Sequence, residues 1–132
     1  MHAVILHPDP PTCEALLQAI KNHPKIDTRK IDIGKTECSQ QALTWIQTQP
    51  KPALLVMPAS FGDFDGLALS QEIRDLNCTY ATAILLLFPT QDANNRERTR
   101  HCRADQYLEG QVTPEEVSML AFDFLNQEYH LA

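Results

Sequence analysis

The side chains of this sequence most able to bind a metal ion are four cysteines and five histidines. The cysteines are far apart in the sequence, and no pair has the C-x-x-C spacing of a zinc site; they are Cys13, Cys38, Cys78 and Cys102. His101 and Cys102 are neighbours on a predicted helix, where consecutive side chains point in different directions. We therefore expect no metal site and interpret Cys13 and Cys38 as small packing residues.

A second set of reactive side chains follows two apolar runs. His7 and Asp9 come directly after the run at 3–6, whereas Ser60, Asp63 and Asp65 follow the run at 53–57. Carboxylates are the ligands that Mg²⁺ prefers, and His7 could be a ligand or a pH-sensitive group. A histidine beside a proline is more often a surface residue, and acids in a turn are more often solvated or cap a helix. The elements that carry these residues decide between the two interpretations.

The composition predicts one globular domain, at residues 1–132. The chain weighs 14.9 kDa and 43% of its residues are apolar, enough for a core without disulfide or metal staples. Its charge of −6 argues against a nucleic-acid or anionic-membrane surface, so we expect a protein or small-molecule partner. The N-terminal sequence lacks the pattern of a signal peptide, and no segment reaches the length of a membrane span, which favours a cytoplasmic location.

Apolar runs of strand length alternate with longer segments of helical period along the chain. This alternation is typical of a parallel sheet with crossover helices. The predicted strands are 3–6, 26–33, 53–57, 83–88 and 106–108. Five helices are predicted. The first opens at Pro10-Pro11, and the second is capped by Ser39 and ended by the prolines at 50–52. The third and fourth run over 67–76 and 92–103, and the fifth begins with a capping box at 113–116.

Five β–α units in this length predict an α/β fold. We expect a flavodoxin-like, doubly wound (βα)5 three-layer sandwich with a parallel five-stranded sheet in the order 2-1-3-4-5. The functional crevice of such a sheet lies at the carboxyl ends of strands one and three. Residues 7–10, 58–66 and 89–92 should therefore meet there.

Three segments are similar to response-regulator receiver domains. KPALLVMPASFGDFDGLALSQEIR resembles the central part of a receiver, where a strand ends on a phosphorylatable aspartate and a D-G pair, here Asp65-Gly66, opens the next helix. SQQALTWIQTQPKPALLV resembles the second helix and third strand of the family, and RADQYLEG resembles its G-A-D-D-Y-L-V-K segment. Together they cover residues 39–74 and 103–110 and agree in one register. The resemblance is to a degenerate member of the family, a pseudo-receiver.

The same register implies that the phosphotransfer chemistry of receivers is missing. In the family an aspartate attacks a phosphohistidine, acids hold Mg²⁺, a Ser or Thr binds a phosphoryl oxygen and a lysine neutralises charge. Here Pro58 takes the position of the aspartate, Phe88 that of the hydroxyl and Gly110 that of the lysine, while Pro8 and Asp9 stand for the paired acids. Proline has no carboxylate to attack phosphorus. The resemblance therefore implies a chain that is not an enzyme and holds neither metal nor cofactor.

Displaced acceptors form one alternative to this interpretation. Ser60, Asp63 and Asp65 lie in the loop after Pro58, two or more residues from the strand end, where the offset would spoil in-line geometry. The simpler interpretation is that both acids are turn residues and that Asp65 caps the next helix.

Tyr107 aligns with an aromatic side chain that swings inward in the family. With Phe88 beside it, we expect Tyr107 to be held in one position, or to be an ordinary edge-strand aromatic.

The fourth and fifth helices are predicted to carry the docking surface. Taking Val117, Leu120, Phe124 and Leu125 as the core stripe of the last helix leaves Met119 and Phe122 on a flank. Arginines of the preceding helix could pair with carboxylates of a partner, or form a solvated basic face; they are Arg96, Arg98, Arg100 and Arg103. Receivers that this chain resembles dimerise or dock through that face.

The resulting hypothesis is a phosphorylation-independent protein-interaction module of signal transduction. The implied partners are a signalling kinase, an output protein or a second copy. A pseudo-receiver that senses a small molecule such as a quinone is the alternative, because Pro8, Pro58 and Phe88 make the crevice less charged than a working receiver's. A flavin carrier ranks last, since HPDPPT lacks the hydroxyl- and glycine-rich cradle that a flavin phosphate needs.

Overall fold

The computed structural model describes residues 2–26, 32–47, 52–76 and 82–131. Within these ranges the elements are β1 His2–Leu6, α1 Pro10–Lys21, β2 Asp32–Thr36, α2 Ser39–Gln47, β3 Pro52–Pro58, β4 Ser60–Phe61, β5 Phe64–Asp65, α3 Gly66–Asp75, β6 Ala83–Phe88, α4 Asn95–His101, β7 Gln106–Glu109 and α5 Pro114–Leu131. Strands and helices alternate as the hydrophobic pattern predicts, apart from the hairpin of β4 and β5.

Five strands form one parallel sheet in the order β2-β1-β3-β6-β7. Strands β4 and β5 pair only with each other, as a two-residue antiparallel hairpin outside that sheet. Counting the sheet's own strands in chain order gives 2-1-3-4-5, so the predicted flavodoxin-like topology is confirmed. The order reverses between β1 and β3, and the carboxyl ends of those two strands frame a crevice.

The core consists of two layers, one on each face of the sheet. Ala3, Ile5, Leu54 and Val56 pack with residues of α1 and α5 on one face, and Val4, Leu6, Leu55 and Met57 pack with residues of α2 and α3 on the other. Successive side chains of a strand point to opposite faces. A central strand covered on both faces therefore needs an unbroken apolar run, as β1, β3 and β6 have.

Helix caps hold the ends that face the crevice. Asp9 caps α1 through its carboxylate, which accepts from the N–H of Thr12. Asp65 caps α3 by accepting from the N–H of Ala68 at 3.0 Å, as the turn interpretation of this residue predicts. At α5 the predicted capping box is present, because the Glu116 N–H donates to Thr113 Oγ1 and Glu116 Oε1 accepts from the N–H of Thr113.

The prediction of the second strand at 26–33 is wrong in its placement. Ile26 is buried but precedes the strand, residues 27–31 lie outside the described part of the chain, and β2 continues through Gly34, Lys35 and Thr36. The physical reason is that β2 pairs with β1 alone. An edge strand has one open side and tolerates polar residues, so its sequence lacks the apolar run used to find strands.

The predicted helix at 92–103 is shorter in the structure. Asp92 forms a turn, in which its carboxylate accepts from the N–H of Asn94 at 2.8 Å, and α4 begins only at Asn95. Arg103 has a positive φ of 63° and lies beyond the helix end. Of the two prolines predicted to end α2, Pro50 lies outside the described residues and Pro52 is the first residue of β3.

The buried stripe of α5 differs from the predicted one. Val117, Ala121 and Leu125 are buried at a spacing of four residues, while Leu120 and Phe124 are only half-buried. The prediction favoured large side chains, but the contact with α1 is close and a small residue, Ala121, lies at its centre. Residues four apart lie on one face of a helix, so this stripe fixes which way the other side chains of α5 point.

The cysteine predictions have mixed outcomes. Cys13 is buried among core residues, as predicted. Burial raises the pKa of its thiol above the usual value, although nearby Lys35 acts in the opposite direction. Cys38 is exposed, so its interpretation as a packing residue is wrong. Cys102 is buried and His101 is exposed, while Cys78 lies outside the described residues.

Candidate functional site

A cleft of about 440 Å³ opens at the carboxyl edge of the sheet, where β1, β3 and β6 end. The residues that line it are His7, Pro11, Thr12, Ala15, Leu16, Pro58, Ser60, Phe61, Leu87, Phe88, Pro89, Gly110, Val112, Pro114 and Val117. Three of the five predicted pocket residues, Pro58, Phe88 and Gly110, therefore meet in one place. Pro8 and Asp9 lie beside the cleft in sequence but do not line it.

Pro58 is the last residue of β3 and is buried. The pairing of β3 with β1 runs only to Val56, so a residue without an N–H at the strand end removes no ladder bond there. On the other side, the Ala59 N–H donates to the Leu87 carbonyl at 2.8 Å and continues the pairing with β6. The sheet thus accepts a proline at this position, and the cleft receives an apolar ring instead of a polar side chain.

Gly66 packs directly against the backbone of Pro58. A Cβ atom at Gly66 would lie 1.9 Å from the Pro58 carbonyl oxygen, and the Gly66 N–H donates to Ala59 O at 2.8 Å. No side chain fits in that space, so α3 can start this close to the strand end only at a glycine. The Asp65-Gly66 pair is therefore explained by capping and by a backbone contact.

The hairpin of β4 and β5 holds Phe61 over the mouth of the cleft. Gly62, with a φ of 57°, and Asp63 form its two-residue turn, a position where positive φ favours glycine. Phe61 is 44% exposed even though it lines the cleft. Phe61 falls in the segment 58–66 predicted to reach the crevice, but it was not singled out as a site residue. The signal was present in the SFGDFD segment, in which a Gly-Asp pair between two phenylalanines is a hairpin pattern.

Phe88 fills the space at the end of β6 and contacts Tyr107. It is 6% exposed, and the two ring centroids are 5.7 Å apart with the rings perpendicular. Tyr107 is half-buried on β7, which pairs with β6. Such an edge-to-face pair is a favourable aromatic geometry. The pair fills the space next to the cleft with two rings, and Phe88 gives the cleft apolar surface at this position.

Gly110 has a φ of 84°, a left-handed backbone conformation that residues with a side chain rarely adopt. Its N–H donates to the Phe88 carbonyl at 3.0 Å, which fixes the turn after β7 against the cleft. A lysine at this position would be strained irrespective of its charge. The backbone conformation at position 110 therefore disfavours lysine, in addition to the absence of a charged side chain there.

Asp9 uses its carboxylate within its own helix. In addition to the N–H of Thr12, the Thr12 hydroxyl donates to Asp9 Oδ2. An acid engaged in two such bonds is a helix cap. Among the described residues, no three His, Cys, Asp or Glu side chains are grouped as a metal would need.

His7 is buried, at 6% exposure, so its interpretation as a surface residue is wrong. Its Nδ1 accepts from the N–H of Asp9 at 3.0 Å, and its ring lies 4.9 Å from the ring of Phe61 in an edge-to-face contact. Burial lowers the pKa of His7 below its usual value of 6.5, although the charge of Asp9 acts in the opposite direction. The imidazole is therefore neutral near pH 7, with its proton on Nε2.

Solved structures of receiver domains match this chain over almost its whole length. The receiver domain of the Francisella response regulator 1452 has a TM-score of 0.79 and 16% identity, covering 96% of this chain and 98% of that one. The signal receiver domain of a DNA-binding response regulator from Colwellia psychrerythraea has a TM-score of 0.77, 14% identity and 98% coverage of both chains.

The fold is that of a response-regulator receiver domain.

A longer protein shows the same likeness. The Thermotoga maritima response regulator DrrB, an OmpR/PhoB homologue, has a TM-score of 0.76 and 14% identity over 96% of this chain. This chain spans 53% of that protein. No family model matches the sequence, and no curated protein matches it. The likeness to these receivers is therefore one of structure, at 14 to 16% sequence identity.

The receiver fold separates the residues predicted to form one docking face. Phe122 stacks on His23 with ring centroids 5.1 Å apart and has Lys25 Nζ 6.0 Å from its ring, so it lies on the α1 side of α5. Met119, 63% exposed, lines a groove between α1 and α5. The prediction that Met119 and Phe122 face α4 is wrong, because the buried stripe lies further round the helix than predicted.

The arginines of the receiver's α4 region differ in their partners. Arg100, 78% exposed, pairs with Glu97 of the same helix at 3.0 Å. Arg103 turns toward α3, where it pairs with Asp75 at 2.6 Å, so it too does not belong to the predicted face. Arg96 is exposed, and in the described ranges no ion pair involves it. Arg96, Arg100 and Tyr107 remain of the predicted face.

None of the helices in the described ranges is long and apolar enough to cross a membrane.

Proposed function

We propose that this chain is a receiver-type domain of signal transduction that does not accept a phosphoryl group, is not an enzyme and acts by binding other proteins. The observation that carries the proposal is Pro58, which is buried at the carboxyl end of β3 and lines the cleft together with Phe88 and Gly110. The resemblance of the sequence assigns the nucleophile, the hydroxyl and the lysine of a receiver to these positions.

The chemistry of these side chains supports the proposal. An acyl phosphate needs a carboxylate nucleophile, and the transferring phosphoryl group needs positive charge and hydrogen-bond donors around it. A proline ring, a phenyl ring and a glycine supply none of these through their side chains. Asp9, which remains of the paired acids, has its carboxylate bound to the N–H and hydroxyl of Thr12.

Phosphorylation at a displaced residue is less favoured. Asp65 caps α3, and Asp63 lies exposed at the tip of the hairpin. Ser60 lines the cleft but is exposed and two residues beyond the strand end. An in-line attack depends on exact placement of the acceptor oxygen, and a misplacement of about 1 Å can cost about a hundredfold in rate.

Phosphoryl transfer is tested by incubating the protein with acetyl phosphate and MgCl₂ and measuring its intact mass. We expect no mass gain, and no change of the amide NMR spectrum on adding beryllofluoride, while a working receiver in the same buffer reacts. Pro58→Asp, which restores a carboxylate alone, serves as the matched variant and should also stay unmodified. A stoichiometric mass gain of the wild type would overturn the proposal, and peptide mapping would locate the acceptor.

For the docking surface we propose the exposed face of α4 and β7, with a second copy of this chain as the partner to test first. Arg96 and Arg100 are exposed on α4 in a chain of net charge −6. A second copy has more acidic than basic residues, and complementary charge raises the association rate and selects partners. A signalling kinase or an output protein with an acidic surface has the same chemistry.

Charge reversal tests this surface. Arg96→Glu should weaken self-association about tenfold or more, because an attractive contact becomes repulsive. Lys21→Glu, an exposed reversal at the end of α1, is the matched control and should leave it unchanged. Sedimentation equilibrium at two salt concentrations measures both. Equal effects of the two variants would contradict this surface, and a monomer at all concentrations would remove the second copy as the partner.

A second candidate function, the sensing of an uncharged small molecule such as a quinone, is favoured by one observation. Among the described residues that line the cleft, none carries a formal charge when His7 is neutral. Native mass spectrometry of protein purified from its own host tests for a retained ligand. A colourless preparation would rule out a bound flavin.

A further inference from the structure

We propose that the cleft between α1, the ends of β3 and β6, and the start of α5 binds an uncharged, largely apolar molecule whose carbonyl or ether oxygen accepts a hydrogen bond from His7 Nε2. This inference rests on the second candidate function, since it names the site and the ligand class. It concerns binding alone and does not depend on how the domain signals.

The size and walls of the cleft fit such a ligand. A volume of about 440 Å³ lies within the range of small-molecule sites, which are mostly apolar with a few placed polar groups. Leu16 and Val117 form one side, from α1 and α5, and Pro58 and Phe88 form the base. Burying apolar ligand surface against these side chains provides the driving force.

The absence of charge in the described lining selects the ligand class. Its side chains include no Asp, Glu, Lys or Arg. An anion or a cation would lose its hydration in the cleft without finding a charged partner, which costs free energy. The desolvation cost of an uncharged molecule is much smaller.

His7 provides the polar contact. His7 is only 6% exposed and lines the cleft. Its Nδ1 already accepts a hydrogen bond from the N–H of Asp9. The neutral ring then carries its proton on Nε2, and no described residue accepts from that N–H. A buried donor without a partner is unfavourable, so an acceptor oxygen placed there gains a full hydrogen bond.

Phe61 suggests how a ligand is covered. It is one of two large hydrophobic side chains that are exposed in the described ranges, the other being Met119. The hairpin places its ring at the cleft and against His7. An exposed aromatic side chain at the edge of an apolar site is typical of a ligand contact.

Two probes of matched shape test the site. Acetophenone has a ring and a carbonyl, and ethylbenzene has the same ring and chain length without the acceptor. We expect saturable amide shifts of cleft residues with both, and about tenfold tighter binding of acetophenone, the factor that one net hydrogen bond supplies. Benzoate, a charged analogue, should not bind.

Three variants make the test decisive. His7→Phe keeps an aromatic ring but removes the donor, so it should reduce the acetophenone preference to about one while ethylbenzene still binds. Ala15→Trp, at an exposed position of α1 that lines the cleft, should block both probes. Ala19→Trp, one turn further along α1 and outside the cleft lining, should block neither.

The outcomes separate the site from the sensing function. Shifts that do not saturate, a preference that survives in His7→Phe, or equal effects of the two tryptophan variants would each overturn the site. Binding that leaves self-association unchanged would retain the site and count against sensing.

Discussion

At the scale of single residues, backbone geometry decides which side chains the site can carry. Gly66 has no room for a Cβ beside the Pro58 carbonyl, and Gly110 adopts a φ of 84°. Pro58 is tolerated because pairing with β1 has already ended. Because of these three residues, this end of the cleft is formed by a proline ring and by main-chain atoms. The composition of the cleft therefore follows in part from constraints on the main chain.

Gly66→Ala tests the tightest of these contacts. The added Cβ would lie 1.9 Å from Pro58 O, so α3 must move away from the end of β3. We expect a loss of about 3 kcal/mol or more in the free energy of unfolding, as for severe overpacking. Urea denaturation measures it.

Gly34→Ala is the matched control, because its Cβ would meet only Trp45, at an ordinary 3.7 Å. We expect a change within about 1 kcal/mol. Equal losses in the two variants would show that the contact with Pro58 is not the cause.

Sequence alone predicted some of these residues and missed others. Asp65 as a cap follows from a local pattern, whereas Gly66 as the helix start and Pro58, Phe88 and Gly110 as members of one site were implied by the resemblance to receivers. The burial of His7 was not predictable, because it results from Phe61 packing on it from a hairpin 54 residues later in the chain. Local sequence does not encode such a contact.

At the scale of elements, the end of α4 is fixed by a motif that uses an unusual residue. The Ala104 N–H donates to Thr99 O and the Arg103 N–H to Arg100 O, both at 3.1 Å, the two bonds of a Schellman motif. Glycine is the usual residue at its left-handed position, which here is Arg103. The Arg103 guanidinium binds Asp75 at 2.6 Å and so ties the end of α4 to α3.

Arg74 joins the same elements from the other side. Its side chain is 9% exposed and donates to Arg103 O at 2.9 Å, to Thr82 O at 2.7 Å and to Asp105 Oδ2. Asp105 Oδ2 also accepts from the N–H of Ile84, at the start of β6. One guanidinium therefore connects α3, the entry to β6 and the turn after α4.

Arg74→Met tests this connection. Methionine keeps the apolar length of the side chain but leaves two carbonyls and a carboxylate without their donor, so we expect a loss of about 2–4 kcal/mol in unfolding free energy. Arg100→Met removes an exposed ion pair with Glu97 and should change stability by less than about 0.5 kcal/mol. Thermal and urea unfolding of both variants measure the difference, and similar losses would contradict the assigned role of Arg74.

The predictability of the elements depended on how deeply each is buried. The strands β1, β3 and β6 were found because both faces are covered, which demands apolar runs. The edge strand β2 was misplaced, because an edge strand does not need an apolar run and its sequence, DIGKT, contains none. The helix α4 was predicted too long, because the turn at Asp92 and the left-handed Arg103 both have residues compatible with a helix.

At the scale of the whole molecule, helices pack on both faces of one sheet, and this arrangement positions both the cleft and the exposed surfaces. The sheet order brings the ends of β1, β3 and β6 together, while α5 packs on α1 and so directs Met119 and Phe122 away from α4. The fold class and the location of the crevice follow from the alternation of strands and helices. The rotation of α5 does not, because Ala121 in its buried stripe is not recognised by a pattern of large apolar residues.

The stability of the whole domain should depend on pH through His7. Its pKa is lowered in the folded state by burial, so between the folded value and the usual 6.5 the unfolded chain binds more protons. Stability therefore rises with pH in this range: the contribution is present above pH 6.5 and is lost as pH falls through the folded pKa.

Urea unfolding at pH 7.5 and pH 5.0 measures this loss, which we expect in the wild type and expect to be smaller in His7→Phe, where no imidazole must be charged. Other described groups with shifted pKa values titrate outside this window. The pKa of Glu14 is lowered from 4.5 by its hydrogen bond to Lys35, whereas Cys13 and Lys35 titrate above pH 9. An equal loss in wild type and variant would show that protonation of His7 is not coupled to unfolding, and that burial does not lower its pKa.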